Sequence, residues 1–98
     1  MPGGQAVVTA TPVAGEPFQF TLSAADSLPL EGEAIDRVAW TAGTSGLPPI
    51  FRNHVEFTNE FDGQTQATLT YTAVAVVKFT DGSVDTQVVS FTVPHNVS

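Results

Sequence analysis

The sequence predicts an all-β domain, a sandwich or barrel of six or seven short strands. Three observations carry that expectation. Gln66 to Phe79 (QATLTYTAVAVVKF) and Val84 to Val93 (VDTQVVSFTV) are two β-rich runs joined across Thr80-Asp81-Gly82-Ser83. Asp-Gly between such runs is the strongest short-range hairpin signal. Elsewhere apolar residues recur at every second position, the period of a strand with one buried face. No segment of helix length carries a helical amphipathic period.

Pro2-Gly3-Gly4 starts no strand well, so Met1, Pro2, Gly3, Gly4 and Gln5 form an N-terminal arm (1–5) ahead of a single domain (6–94) and a short tail (95–98). Ala6 to Thr11 (AVVTAT) is a first strand, closed by Pro12. Phe18, Phe20, Leu22 and Ala24 alternate with Gln19, Thr21 and Ser23, a strand with one face in the core. Asp26 to Ala34 (DSLPLEGEA) is a polar loop with Pro29 and Gly32. Ile35 to Ala42 sets Val38 and Trp40 on one face and Arg37, Ala39 and Thr41 on the other. Gly43 to Pro49 is a loop stiffened by Pro48-Pro49. Phe51, Val55 and Phe57 alternate with Arg52, His54 and Glu56 as a further strand, and Phe61 to Gln64 is a turn before the long hairpin.

The hairpin register poses a physical problem. A two-residue turn at Asp81-Gly82 pairs Phe79 with Val84, Lys78 with Asp85, Val77 with Thr86 and Ala75 with Val88. That joins opposite charges on one face and apolar pairs on the other. Continued, it puts Phe91 opposite Thr72, away from the face of Tyr71 and Leu69. Slipping the second strand by one residue instead sets Ala73 against Phe91 and Tyr71 against Val93. The expectation is a β-bulge near Val88-Val89. A three-residue Asp-Gly turn with its own bulge competes, because it places the slip at the turn. In either register Val74 and Val76 point away from the core, covered by a neighbouring segment or facing a partner.

Composition narrows function. Ninety-eight residues make one domain with no second core, and such a chain buries roughly 60–70% of its unfolded surface. Without cysteine there are no disulfides or thiolate metal sites. The net charge is −7, and only Arg37, Arg52 and Lys78 are positive. Nucleic acid and anionic membranes, which need a basic face, are therefore not expected partners. The first residues show no signal-peptide pattern, and no apolar run reaches membrane-spanning length.

The chemical candidates are weak. Asp26, Glu31, Glu33 and Asp36 crowd one loop and could supply calcium oxygens, but the EF-hand spacing is absent and a solvated acidic loop is the better reading. Glu60 and Asp62 flank a turn, where the solvated reading is stronger still. His54 and His95 are unaccompanied, and the serines lack a nucleophile context, so no enzyme and no cofactor is expected. Trp40 could form a sugar-stacking platform with Tyr71, but its phase with Val38 favours the core. Asn96-Val97-Ser98 matches the glycosylation triplet, a pattern common by chance.

Ala25-Asp26-Ser27, Gly32, Ile35 and Ala39-Trp40-Thr41-Ala42-Gly43 resemble the first half of a PKD-type immunoglobulin-like domain, and the closing strands around Asp81-Gly82 fit the same pattern. Thr44-Ser45-Gly46 replaces that family's acidic turn after the tryptophan, and the later histidine-tyrosine signature is not clearly present. The resemblance implies an immunoglobulin-like antiparallel β-sandwich of about seven strands and carries no binding residues across. In size, acidity and lack of cysteine the chain is also similar to stand-alone head-decoration proteins of tailed bacteriophages. The functional expectation is a non-enzymatic binding module on a virion assembled in the host cytoplasm. It would dock on a capsid or other virion protein through the arm and a β face that includes Val74 and Val76, with a homo-oligomer as a variant. An extracellular adhesion or carbohydrate-binding module of a bacterial surface protein is the alternative, and a phage tail component the third reading.

Overall fold

The computed structural model describes residues 3–44, 46–61 and 68–94. It is an all-β sandwich of seven strands: β1 (Thr9–Val13), β2 (Glu16–Ser23), β3 (Ile35–Gly43), β4 (Ile50–Arg52), β5 (Glu56–Glu60), β6 (Leu69–Phe79) and β7 (Val84–Val93). No helix occurs among the described residues. Two antiparallel sheets pack face to face, one in the order β1-β2-β5 and the other β4-β3-β6-β7. The alternation that predicted the strands is the alternation of burial: Phe20 and Leu22 from one sheet, with Ala24 just past its β2 strand, meet Val38, Trp40, Ala42, Tyr71, Ala73, Ala75, Val77 and Phe79 from the other. Ala42, Ala73 and Ala75 leave room for a knot of rings, in which Phe91 lies 4.8 Å from both Phe20 and Phe61, and Phe61 lies 5.1 Å from Tyr71.

Two strand expectations are corrected. The first ladder starts at Thr9, not Ala6, and runs past Pro12 to Val13. Pro12 is tolerated because β1 is a sheet edge, paired only with β2, so its missing N–H costs no ladder bond. The run from Phe51 to Phe57 is two strands, not one. β4 pairs with β3, and β5 pairs with β2 on the opposite sheet. The chain crosses between sheets near His54, where the Trp40 indole N–H donates to the His54 carbonyl at 2.7 Å. The crossing resets the strand phase, so Phe51 faces outward while Val55 and Phe57 pack on the core.

The hairpin departs from the bulge expectation. β6 and β7 pair without interruption from Leu69–Val93 to Lys78–Val84, with no bulge at Val88-Val89. The slip sits at the turn, where the competing three-residue solution placed it, but it runs in the opposite sense to the expected one: Ala73 faces Val89 and Tyr71 faces Phe91, not Phe91 and Val93. Phe79 N–H donates to the Ser83 carbonyl at 2.9 Å, and Gly82 N–H donates to the Phe79 carbonyl at 2.9 Å. The loop is thus the three residues Thr80, Asp81 and Gly82, with Gly82 at φ +90°, the left-handed region. A one-residue slip moves every side chain of a strand to the other face. Tyr71 therefore meets Phe91, their rings stacked at 5.6 Å and 9°, and Leu69 meets Val93. Lys78 faces Val84 rather than Asp85, which lies opposite Val77.

Candidate functional site

The register of the hairpin builds the most distinctive surface of the molecule. On the outer face of the four-stranded sheet, paired residues form rows across the strands. One row is Phe51, Thr41, Val74 and Val88; the next is Ala39, Val76 and Thr86; the third is Arg37, Lys78 and Val84. Phe51 is 65% exposed, Val84 and Val88 each 55%, and Val76 40%. These side chains share one sheet face, with Thr41 between Phe51 and the valines of the hairpin. The outward placement expected for Val74 and Val76 is observed. Val84 and Val88, placed inside by the two-residue turn, are outside beside them. The three-residue turn was the sequence signal that could have found them; for Phe51 the sheet crossing left no such signal.

The opposite outer face has a different chemistry. On β1-β2-β5 the outward rows join Gln19 with Glu60, Thr11 with Thr21 and Thr58, and Thr9 with Ser23 and Glu56. The Thr21 and Thr58 hydroxyls are hydrogen-bonded at 2.8 Å. The sandwich is therefore two-sided, polar and acidic on one outer face and apolar with a cationic end on the other.

The N-terminal arm is held against the domain where it is described. Gln5 pairs with Leu28 in both directions, at 2.8 and 2.7 Å. Val7 N–H donates to the buried Ser27 hydroxyl at 2.9 Å. Gly4 N–H donates to Ser83 Oγ at 3.1 Å, and Ala6 N–H to Asp85 Oδ2 at 2.8 Å. Inward-facing Asp85 thus serves the strap rather than Lys78. Ser83 Oγ in turn donates to Asp81 Oδ1 at 2.6 Å, and Ser83 N–H donates to the same oxygen at 3.0 Å. These bonds, the hydroxyl first, hold the Asp81 carboxyl below its ordinary range. Gly4 and Gln5 are therefore hydrogen-bonded within the chain and Gly3 lies close against Ser83; Met1 and Pro2 lie outside the described residues.

The acidic loop does not assemble a site. Asp26, Glu31, Glu33 and Asp36 are all exposed, and among the described residues no group of three or more potential ligands converges on a point. Asp36 sits where the β3–β6 register shifts, between Ile35 and Arg37. Glu33 accepts a hydrogen bond from the Thr80 hydroxyl at 2.5 Å, and that hydroxyl accepts one from Ala34 N–H at 3.0 Å, tying the loop to the hairpin turn. Trp40 is 1% exposed and packs edge-on to Phe57 at 5.7 Å, so it is a core residue and offers no stacking platform. Asp62, His95 and the Asn96-Val97-Ser98 triplet lie outside the described residues. No helix among the described residues is long and apolar enough to cross a membrane. A scan of protein-family models finds none that matches the chain, and a search of curated proteins finds no significant match.

Proposed function

We propose that this protein is a non-enzymatic structural module that docks on a partner protein through the outer face of its four-stranded sheet. Its setting, on this reading, is the head of a tailed bacteriophage, where it decorates and reinforces the assembled capsid. The carrying observation is the gathering of Phe51, Val74, Val76, Val84 and Val88 on the outer face of one sheet, in a domain whose other outer face is polar. A small domain gains nothing in its own stability by presenting Phe51, Val76, Val84 and Val88 to water with half-buried Val74 among them, and a partner that covers them does. The virion setting rests on the resemblance in size, acidity and lack of cysteine. The burial of Trp40 weighs against the carbohydrate-binding alternative.

Density-gradient sedimentation with mass spectrometry tests the reading. The chain is expected to band with assembled heads, and a Val88→Asp variant to remain at the top of the gradient with an unchanged thermal transition. A wild-type chain that sediments only as free monomer beside intact heads overturns it.

A further inference from the structure

The docking face is not uniform, and its cationic end gives the partner a chemistry. Arg37 and Lys78 are directly paired across β3 and β6. Like charges opposite one another on adjacent strands destabilise a sheet, and a chain with ten carboxylates and three cations has ample means to neutralise them. It does not do so: among the described residues no carboxylate forms an ion pair with either. The third cation, Arg52, is otherwise engaged. It donates to the Phe51 carbonyl at 2.8 Å and to Asn59 Oδ1 at 2.9 Å, and it sits over the Phe57 ring. Both uncommitted cations of the described chain thus stand side by side on the apolar face. Around them is a shallow depression walled by Ala39, Asn53, Val76 and Val84.

Resting on the docking face proposed above, we propose that this depression anchors an acidic, apolar segment of the partner protein: a carboxylate side chain between Arg37 and Lys78, with a neighbouring aliphatic side chain against Ala39, Val76 and Val84. A carboxylate there relieves the cation–cation repulsion, and the apolar walls lower the local dielectric that the new pair experiences. The complementarity also sets the approach. The rest of the molecule is acidic and repels an acidic partner, so encounter is steered to this end of this face. A polyphosphate backbone fits less well, because two cations on a chain of charge −7 cannot match its charge density.

The test is an NMR titration of the full, nitrogen-15-labelled chain with three probes: the blocked peptide acetyl-Leu-Glu-Val-Asp-Phe-amide, its counterpart with Gln and Asn in place of Glu and Asp, and inorganic phosphate. The acidic peptide is expected to shift the amides of Arg37, Ala39, Val76, Lys78 and Val84 saturably, and to bind roughly three- to tenfold more tightly than the neutral one, as two partly exposed ion pairs would give. An Arg37→Gln, Lys78→Gln variant with unchanged melting temperature should lose that preference. Equal binding of the two peptides overturns the cationic anchor while leaving the docking face standing. Phosphate shifting the same amides as strongly as the acidic peptide marks a simple anion site and also overturns it. Absence of any shift on this face overturns it as well; the docking reading itself is decided separately, by sedimentation of the Val88→Asp variant.

Discussion

Replacing Gly4 by alanine puts the docked N-terminal strap to a quantitative test. A Cβ at residue 4 would stand 2.5 to 2.7 Å from Cδ2, Cε2 and Cγ of Phe79. Those are ring atoms of a fully buried core residue, which has no room to retreat. The strap must therefore lift. Lifting it breaks the bond from Gly4 N–H to Ser83, a neutral bond of about 1 kcal/mol, and the bond from Ala6 N–H to the Asp85 carboxylate, about 1.5–3 kcal/mol. The sum is about 3 kcal/mol, and at 4–8 °C per kcal/mol for a domain of this size the melting temperature should fall by roughly 12–24 °C. Calorimetry gives the shift, and amide exchange gives its cause, because the Ala6 amide should change from protected to rapidly exchanging. An Asp85→Asn variant should show part of the same loss, and the double variant less than the sum, since one strap is lost only once. A Gly4→Ala protein that melts within about 2 °C of wild type and still protects Ala6 would refute the reasoning.

Two further outcomes follow from the hairpin turn. Gly82→Ala meets no neighbouring atom but must adopt φ +90°, so it should cost about 1–2 kcal/mol, with Gly82→Asn recovering much of that; denaturant midpoints check it, and equal stability of all three would show that the left-handed position is not used. The Asp81 carboxyl is depressed in the folded chain relative to the unfolded one, so the stability it contributes is present above the ordinary aspartate range and is lost as pH falls through the lower folded value. Asp81→Asn should therefore flatten the acid side of the stability profile, below about pH 4, and leave its shape at neutral pH unchanged; an identical acid slope in the variant would contradict the Ser83 hydrogen bonds.

Local chemistry made several elements legible in the residues alone. Strands came from alternation, because a pleated strand exposes its side chains with period two. Trp40 belonged to the core by its phase with Val38. Val74 and Val76 faced outward in any register, because their parity opposes that of Tyr71, Ala73 and Ala75. The same reasoning misjudged Phe51, since parity carries no further than the bend at which the chain changes sheets. For the candidate site, half of the face was readable: β6 announced its own outward residues, but β7 did not.

The sequence by itself determined an all-β domain with a long hairpin closed at Asp81-Gly82, because strand period and turn chemistry are properties of neighbouring residues. Only the tertiary structure decided which face of β7 is outside. That choice turns on the three-residue loop at Gly82 and on the packing of Phe91 against Tyr71, a contact between residues twenty positions apart, and it places Val84 and Val88 in water beside Val74 and Val76. The pairing of Arg37 with Lys78 and the seating of Gly4 on Phe79 are likewise non-local, joining segments whose meeting no local pattern encodes.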